Sequence, residues 1–226
     1  MKLSSQVSVF AAVLALASAF SPAETIQLGS YQTGGPNLGN NNTAVAFVGS
    51  STTTFALDPG GVWAAPGSNS VWVSNNAGSG PTGGFVAPSG TYTYTTTFTT
   101  LAGNTYTGAI SLLADDTADV FLNGHSLLGL GILGANKKCA DSGPNCTTPT
   151  LVVLPSAFFV TGLNTLQFDL TQTVSSAGLD FSGSAIGSVG STSLAPEPGT
   201  LFLLGTGLIA SAGLLMRRFS SLTSTQ

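Results

Sequence analysis

The densest group of acidic side chains in the 226-residue sequence consists of Asp115, Asp116 and Asp119. Carboxylate oxygens are hard ligands of the kind that Ca²⁺ prefers, and they also accept hydrogen bonds from sugar hydroxyls. The spacing is not that of an EF-hand loop, which alternates its ligand positions and ends with Glu. Aspartates also hold turns between strands by accepting hydrogen bonds from backbone amides. The sequence favours such a turn, exposed to solvent, and leaves a structural Ca²⁺ or a sugar contact as the alternative; it indicates no other cofactor.

Two tryptophans, Trp63 and Trp72, lie close together in the segment GGVWAAPGSNSVWVS. An exposed indole ring can stack on a sugar, whereas a buried one packs against apolar side chains and donates its N–H to an acceptor. Packing is the more common role and is favoured here. The alternative is that both rings, together with the acidic group, form a carbohydrate-binding surface.

Cys139 and Cys146 are the only cysteines, and the segment CADSGPNC contains turn-forming residues between them. In an oxidising compartment this spacing predicts a local disulfide. A metal site would require more thiol or imidazole ligands than this pair and the distant His125. The identity of any bound metal is therefore unknown, and the bridge is expected to hold a loop in place.

The stretch GHSLLG contains the only histidine of the sequence, His125, and directly after it a serine, Ser126. A nucleophile elbow requires Gly two residues after the serine, and Leu128 stands at that position instead. A β-hairpin is therefore predicted, and the protein is expected to be non-enzymatic. An enzyme would instead require two carboxyl groups to converge as a glycosidase pair, about 5–9 Å apart.

Charged side chains make up only 6% of the sequence, against about 25% in an ordinary globular protein. A groove that binds nucleic acid needs several clustered Lys or Arg residues to neutralise phosphates. The chain has five basic residues, and they are spread over three segments: Lys2, Lys137, Lys138, Arg217 and Arg218. Nucleic-acid binding is therefore not expected.

Residues 1–23 have the pattern of a secretory signal peptide. Lys2 precedes an apolar stretch over residues 7–16, and small residues follow it. This order of a positive, an apolar and a small-residue region is typical of export signals. Cleavage after Ala19 and cleavage after Ala23 fit equally well. The mature chain is expected to cross the inner membrane.

The other end of the chain contains an uncharged segment, residues 200–216, followed directly by Arg217 and Arg218. As a helix this segment is about 25 Å long, which is near the lower limit for crossing a bilayer. The arginines are expected to stay on the cytoplasmic side. The sequence therefore predicts a transmembrane helix between a flexible linker at 188–195 and a polar tail at 221–226.

The segment 196–220 combines Pro196-Glu197-Pro198, a short apolar helix and the two arginines. This order resembles the PEP-CTERM sorting signal of Gram-negative bacteria. The resemblance implies that a membrane protease-transpeptidase, the exosortase, recognises the Pro-Glu-Pro element and cleaves near it. It also implies that the exported protein is anchored in the periplasm or cell envelope, or is released to the extracellular matrix.

The middle of the chain, residues 24–187, shows β patterns throughout. TYTYTTTFTT alternates aromatic and hydroxyl residues as a half-buried strand does, and Asn123-Gly124 is a type I′ hairpin signal between two apolar runs. Further β-rich runs are TYTGAISLLA, LVVLPSAFFV, NTLQFDLTQTV and GLDFSGSAIGS. The predicted fold is an all-β sandwich or jelly roll flanked by a signal helix and a transmembrane helix.

Four short motifs in this region resemble the galactose-binding-like jelly-roll domains of exported bacterial proteins. They are residues 114–116 (ADD), 120–124 (VFLNG), 162–166 (GLNTL) and 178–181 (GLDF). Because these motifs are mainly structural, the resemblance concerns the fold more than a ligand. The function expected from the whole sequence is an exported, non-enzymatic envelope or matrix protein associated with exopolysaccharide. The alternative is a cell-surface carbohydrate-binding module.

Overall fold

The computed structural model of the protein describes residues 23–47, 53–134 and 139–189, together with Gly207. The predicted signal peptide lies outside these residues except for Ala23. The Pro-Glu-Pro element, the two arginines and the polar tail also lie outside them, as does the predicted transmembrane segment apart from Gly207. Within the described part of the chain, no helix is both long enough and apolar enough to span a membrane.

The described residues form thirteen strands and one short 3-10 helix, Ser156–Phe158. The strands are β1 (Glu24–Gly29), β2 (Ala44–Ala46), β3 (Phe55–Ala56), β4 (Val73–Ser74), β5 (Gly90–Thr100), β6 (Asn104–Asp115), β7 (Thr117–Leu122), β8 (His125–Leu128), β9 (Ile132–Leu133), β10 (Ala140–Ser142), β11 (Thr150–Leu154), β12 (Gly162–Gln172) and β13 (Gly178–Val189).

Two antiparallel sheets make up the domain. The first has six strands in the order β11-β6-β13-β4-β3, with β1 also pairing with β13. The second has five strands in the order β2-β5-β12-β7-β8, and β9 pairs separately with β10. The prediction of an all-β sandwich is confirmed; the finer jelly-roll identity stays a prediction.

The main core lies between these two sheets because their long strands bury every second side chain. In β12, for example, the even-numbered residues from Asn164 to Gln172 are all buried. Phe168 of β12 and Phe181 of β13 stack across the sandwich with ring centroids 4.7 Å apart. Side chains that alternate with a period of two, the pattern that predicts a strand in the sequence, therefore give each sheet one buried face. The two sheets pack through these faces.

The predicted hairpin between β7 and β8 is present. Asn123 and Gly124 both have positive φ angles, 51° and 81°, as a type I′ turn requires. By contrast, the apolar run at residues 151–160 is a strand only as far as Leu154. Pro155 follows and cannot donate a ladder hydrogen bond, and the chain turns into the 3-10 helix.

Both ends of the sandwich domain lie at the same end of the first sheet. Glu24, at the start of β1, pairs with Gly187 near the end of β13. The last strand continues to Val189, past the boundary at 187 expected from the sequence. At the opposite end of the same strands, Gly178 of β13 pairs with Asp115 of β6. The candidate site lies at this second end.

Candidate functional site

Two of the three clustered aspartates stand where the chain crosses from one sheet to the other. Asp115 ends β6 of the first sheet, and β7 of the second sheet begins at Thr117. Asp116, joined to Asp115 by a cis peptide bond, is therefore the only residue between them. Asp119 lies further along β7, opposite Asp169 of β12. The fold thus separates Asp119 from the other two carboxylates.

Asp116 holds this crossover in place through its side chain. Its Oδ2 accepts hydrogen bonds from the backbone N–H of Thr173 at 2.7 Å and from the Thr173 hydroxyl at 2.6 Å. The residue is completely buried. Burial raises the pKa of the Asp116 carboxyl, and hydrogen bonds from Thr173 and Asp115 only partly offset the rise. The sequence favoured a solvated turn for the group. Asp116 accepts hydrogen bonds from a backbone amide as such a turn would, but it is buried rather than solvated.

Replacing Asp116 by Asn is expected to stabilise the protein at neutral pH by about 1–3 kcal/mol, because the buried charge is removed while an acceptor for Thr173 remains. The raised pKa means that the folded state binds more protons than the unfolded state. The contribution of Asp116 to wild-type stability is therefore greatest below its unfolded pKa, and is lost as pH rises through its folded pKa. The advantage of the variant should disappear towards pH 4.

The measurement is urea unfolding of the full chain, purified in a non-ionic detergent, at several pH values between 4 and 7. The exposed carboxylate of Asp141 provides the matched control, and Asp141→Asn should change the stability by no more than about 0.5 kcal/mol. Asp180 is also buried with a raised pKa, so some pH dependence should remain in Asp116→Asn. Equal stability of wild type and variant at pH 7 would contradict the prediction.

The other carboxylate, Asp115, is bound to a tryptophan. The Nε1–H of Trp63 donates to Asp115 Oδ2 at 2.8 Å, and Asp115 is only 4% exposed. The rings of Trp63 and Trp72 lie 4.4 Å apart, and Trp72 donates its own N–H to the backbone oxygen of Ala64. Trp63 is 4% exposed and Trp72 0%. Protein atoms thus cover both indoles, in keeping with the packing role favoured by the sequence.

The loop that carries these tryptophans is fastened to the first sheet by a third buried carboxylate, Asp180 of β13. Its Oδ2 accepts from the backbone N–H of Gly67 at 2.8 Å, and its Oδ1 accepts from the Ser30 hydroxyl at 2.9 Å. Burial raises the pKa of Asp180, and these donors partly counteract the effect. The side chains of Trp63 and Trp72 form a second apolar cluster, separate from the main core, with Leu57, Leu113 and Cys146.

The cysteines lie at bonding distance, as their spacing predicts, with Cα atoms 5.6 Å apart. The backbone oxygen of Cys146 accepts from Ala64 N–H at 2.9 Å, and that of Asn145 accepts from Ala114 N–H at 3.0 Å. The bridged loop is therefore fastened both to the tryptophan loop and to β6. It pins local structure and lies outside the main core between the sheets.

Trp63, Asp115 and the two cysteines line a half-open cavity of about 570 Å³. In the sequence the aspartates, the tryptophans and the cysteines are three separate groups. The fold brings Trp63, Asp115 and the cysteine pair together at this cavity. The cavity also has wall residues that the sequence did not single out, because isolated residues of these types carry no local signal: Val62, Pro81, Ala140, Asp141, Thr147, Val174, Ser175 and Ser176.

The histidine lies elsewhere. His125 is in β8, where its ring stacks on Phe158 with centroids 4.5 Å apart. Of the described residues that line the cavity, none is a histidine. The geometry therefore brings together a carboxylate, an indole N–H, a disulfide and several hydroxyls, which can bind polar groups or cations.

Comparison with known proteins concerns the tail of the chain. Residues 194–218 match the model of the PEP-CTERM protein-sorting motif, in agreement with the resemblance drawn from the sequence. This motif is recognised by exosortase, a membrane enzyme. It implies an exported protein that exosortase processes and that associates with the membrane or envelope. No curated protein matches the chain.

Proposed function

We propose that the protein is a non-enzymatic component of the cell envelope or extracellular matrix, which exosortase processing delivers and which associates with exopolysaccharide. The observation that carries this proposal is the position of the sorting motif. The last strand ends at Val189, and the motif begins at residue 194. The β-sandwich is thus the folded part of the chain that directly precedes the sorting motif.

The non-enzymatic part of the proposal is supported by the partners of the buried acids. Asp115 is held by Trp63, Asp116 by Thr173, and Asp180 by Gly67 and Ser30. Each of these carboxylates therefore has a role in joining loops to sheets. A surface rich in hydroxyl and amide groups, with 6% charged residues in the whole sequence, suits contact with hydrated polysaccharide.

The finer fold assignment belongs to the same proposal. Residues 114–116 lie at the crossover from β6 to β7, and residues 120–124 form the hairpin. Residues 162–166 and 178–181 begin β12 and β13. All four motifs that suggested a galactose-binding-like jelly roll therefore occupy strand starts, ends or turns, which supports that fold. Residues 200–216 would form the membrane helix, retained until the tail is cleaved.

The delivery step is tested by mass spectrometry of the mature C-terminus in a wild-type host and in one without its exosortase gene. The wild type should yield chains that lack Arg217 and Arg218, recovered outside the inner membrane. The deletion host should yield only chains with the arginines, recovered with the membrane. The same C-terminus in both hosts would refute processing by exosortase.

Polysaccharide association needs a separate comparison, between a wild-type host and one unable to make exopolysaccharide. The processed protein is expected to be retained with the matrix in the first host and to be lost to the medium in the second. Because cleavage does not depend on the polymer, the C-terminus should be identical in both. Retention unchanged by loss of the polymer would contradict the association while leaving the sorting proposal intact.

A further inference from the structure

Three potential metal ligands converge at one wall of the cavity. An oxygen of Asp115, the Sγ of Cys139 and the Sγ of Cys146 all lie within 4.8 Å of one another. They come from different segments, since Asp115 ends β6 while the cysteines flank β10. The sequence argued against a metal because the cysteine pair had no third ligand within reach. The fold supplies Asp115 as that ligand.

We propose that reduction of the Cys139–Cys146 bridge opens a site for a thiophilic divalent cation, Zn²⁺ or Cd²⁺, bound by two thiolates and the Asp115 carboxylate. Two sulfur ligands with one oxygen suit borderline-soft and soft ions better than Ca²⁺ or Mg²⁺. In the oxidised protein the sulfurs are bonded to each other and the site does not bind the cation. In the reduced protein the two thiolates and Asp115 bind it.

The distances favour such a site. With metal–sulfur bonds of about 2.3 Å and metal–oxygen bonds of about 2.0–2.2 Å, ligand atoms around a tetrahedral ion lie roughly 3.5–3.8 Å apart. The two sulfurs, which are bonded to each other in the disulfide, must therefore move apart after reduction. The Asp115 oxygen lies within 4.8 Å of each sulfur, so these separations need to shorten by no more than about 1 Å. Rotation of the freed cysteine side chains can provide both movements. The cavity gives access for the ion and room for a water molecule as fourth ligand.

The surroundings of Asp115 also favour a ligand role. Trp63 donates its indole N–H to Asp115 Oδ2, which orients the carboxylate in the way that an outer-shell donor orients a metal ligand. A carboxylate offers about four lone-pair sites, so it can keep this hydrogen bond and bind a cation as well.

The chemistry balances with a dithiol or a phosphine as reductant. A dithiol transfers two electrons and two protons to the bridge, yielding two Cys thiols and its own disulfide. A phosphine supplies the two electrons and becomes the phosphine oxide, and one water molecule provides the oxygen and both thiol protons. In either case the divalent cation then displaces both thiol protons. Cys139 is the more accessible sulfur, because Cys146 is 1% exposed. Opening so short a loop costs about 2–3 kcal/mol. A domain with an ordinary stability of about 5–15 kcal/mol should therefore stay folded.

The test is a Cd²⁺ titration of the full chain in detergent, followed through the ultraviolet thiolate-to-cadmium charge-transfer band. After reduction with a phosphine, the wild type should bind one Cd²⁺ per chain, whereas the oxidised chain should bind none at this site. Asp115→Asn should weaken binding to the reduced chain by at least about 10-fold. Replacement of both cysteines by serine should abolish the band.

Asp141→Asn is the matched control, since Asp141 lines the same cavity but does not belong to the three-atom cluster; its affinity should equal that of the wild type. Circular dichroism checks the fold of each variant. If Asp115→Asn does not fold, the tryptophan fluorescence of the reduced wild type is measured during the titration instead. A cation bound to Asp115 must change this fluorescence, because the indole N–H of Trp63 donates to the same carboxylate. The proposal is overturned by no binding to the reduced wild type, by equal affinity of Asp115→Asn, or by unchanged Trp fluorescence.

Discussion

Three alanines in place of Pro196, Glu197 and Pro198 are expected to leave every exported molecule with its Arg217-Arg218 end. The triplet lies within the segment that matches the sorting motif, residues 194–218, and the resemblance to that motif implies that exosortase recognises it. Two prolines fix the φ angle on both sides of the glutamate, so alanine removes both the charge and the rigid backbone. Intact-mass analysis of the C-terminus measures the processed fraction.

The matched control replaces Ser191, Thr192 and Ser193, which precede the motif, by alanine. This variant should be processed like the wild type. The alternative explanation, that the Pro-Glu-Pro variant fails to fold, is tested in the same samples by assaying the Cys139–Cys146 bridge. Since the sandwich ends at Val189, both variants should contain the disulfide. Normal processing of the Pro-Glu-Pro variant would show that the enzyme recognises another part of the tail.

The longer strands from β5 onwards were predictable because each carries its own pattern, whereas the two- and three-residue strands such as β3 and β4 are too short to show one. The alternation over β5 and β12 reflects the burial of one face of each strand, and the Asn123-Gly124 turn needs only two adjacent residues with positive φ. Such signals are local in the sequence. The end of β11 was less clear, because the apolar run continues through Phe158 and Phe159 after Pro155 has already stopped the strand.

The candidate site was predictable only in its parts. Trp63 and Asp115 lie 52 residues apart in the chain, and only the packing of a loop on the first sheet brings them into hydrogen-bonding contact. The proximity of Asp115 to the disulfide likewise depends on where the bridged loop docks. Within the acidic group, burial distinguishes Asp116 from Asp119, and burial is a property of the crossover between sheets that residue type alone does not reveal.

Replacing Trp72 by Ala is expected to lower the free energy of unfolding by about 3–5 kcal/mol, the usual cost of deleting a buried large aromatic side chain. Trp72 is 0% exposed, packs against Trp63 with the two rings tilted by 34°, and donates its N–H to the backbone oxygen of Ala64. Its loss removes apolar contacts, leaves a cavity and frees an acceptor in the loop that covers Leu113. Urea unfolding of the full chain, monitored by far-ultraviolet circular dichroism, gives the difference.

Val62→Ala is the control, because Val62 lines the same cavity but is 62% exposed; its effect should stay within about 0.5 kcal/mol. A second variant, Trp72→Phe, retains most of the apolar volume and should cost less than Trp72→Ala.

The experiment also separates the two roles weighed for the tryptophans. An indole that stacks on sugar in solvent could be removed with little loss of stability, so an unchanged unfolding curve for Trp72→Ala would contradict packing. A large loss would assign Trp72 to the apolar cluster that supports Trp63 and, through it, the position of Asp115.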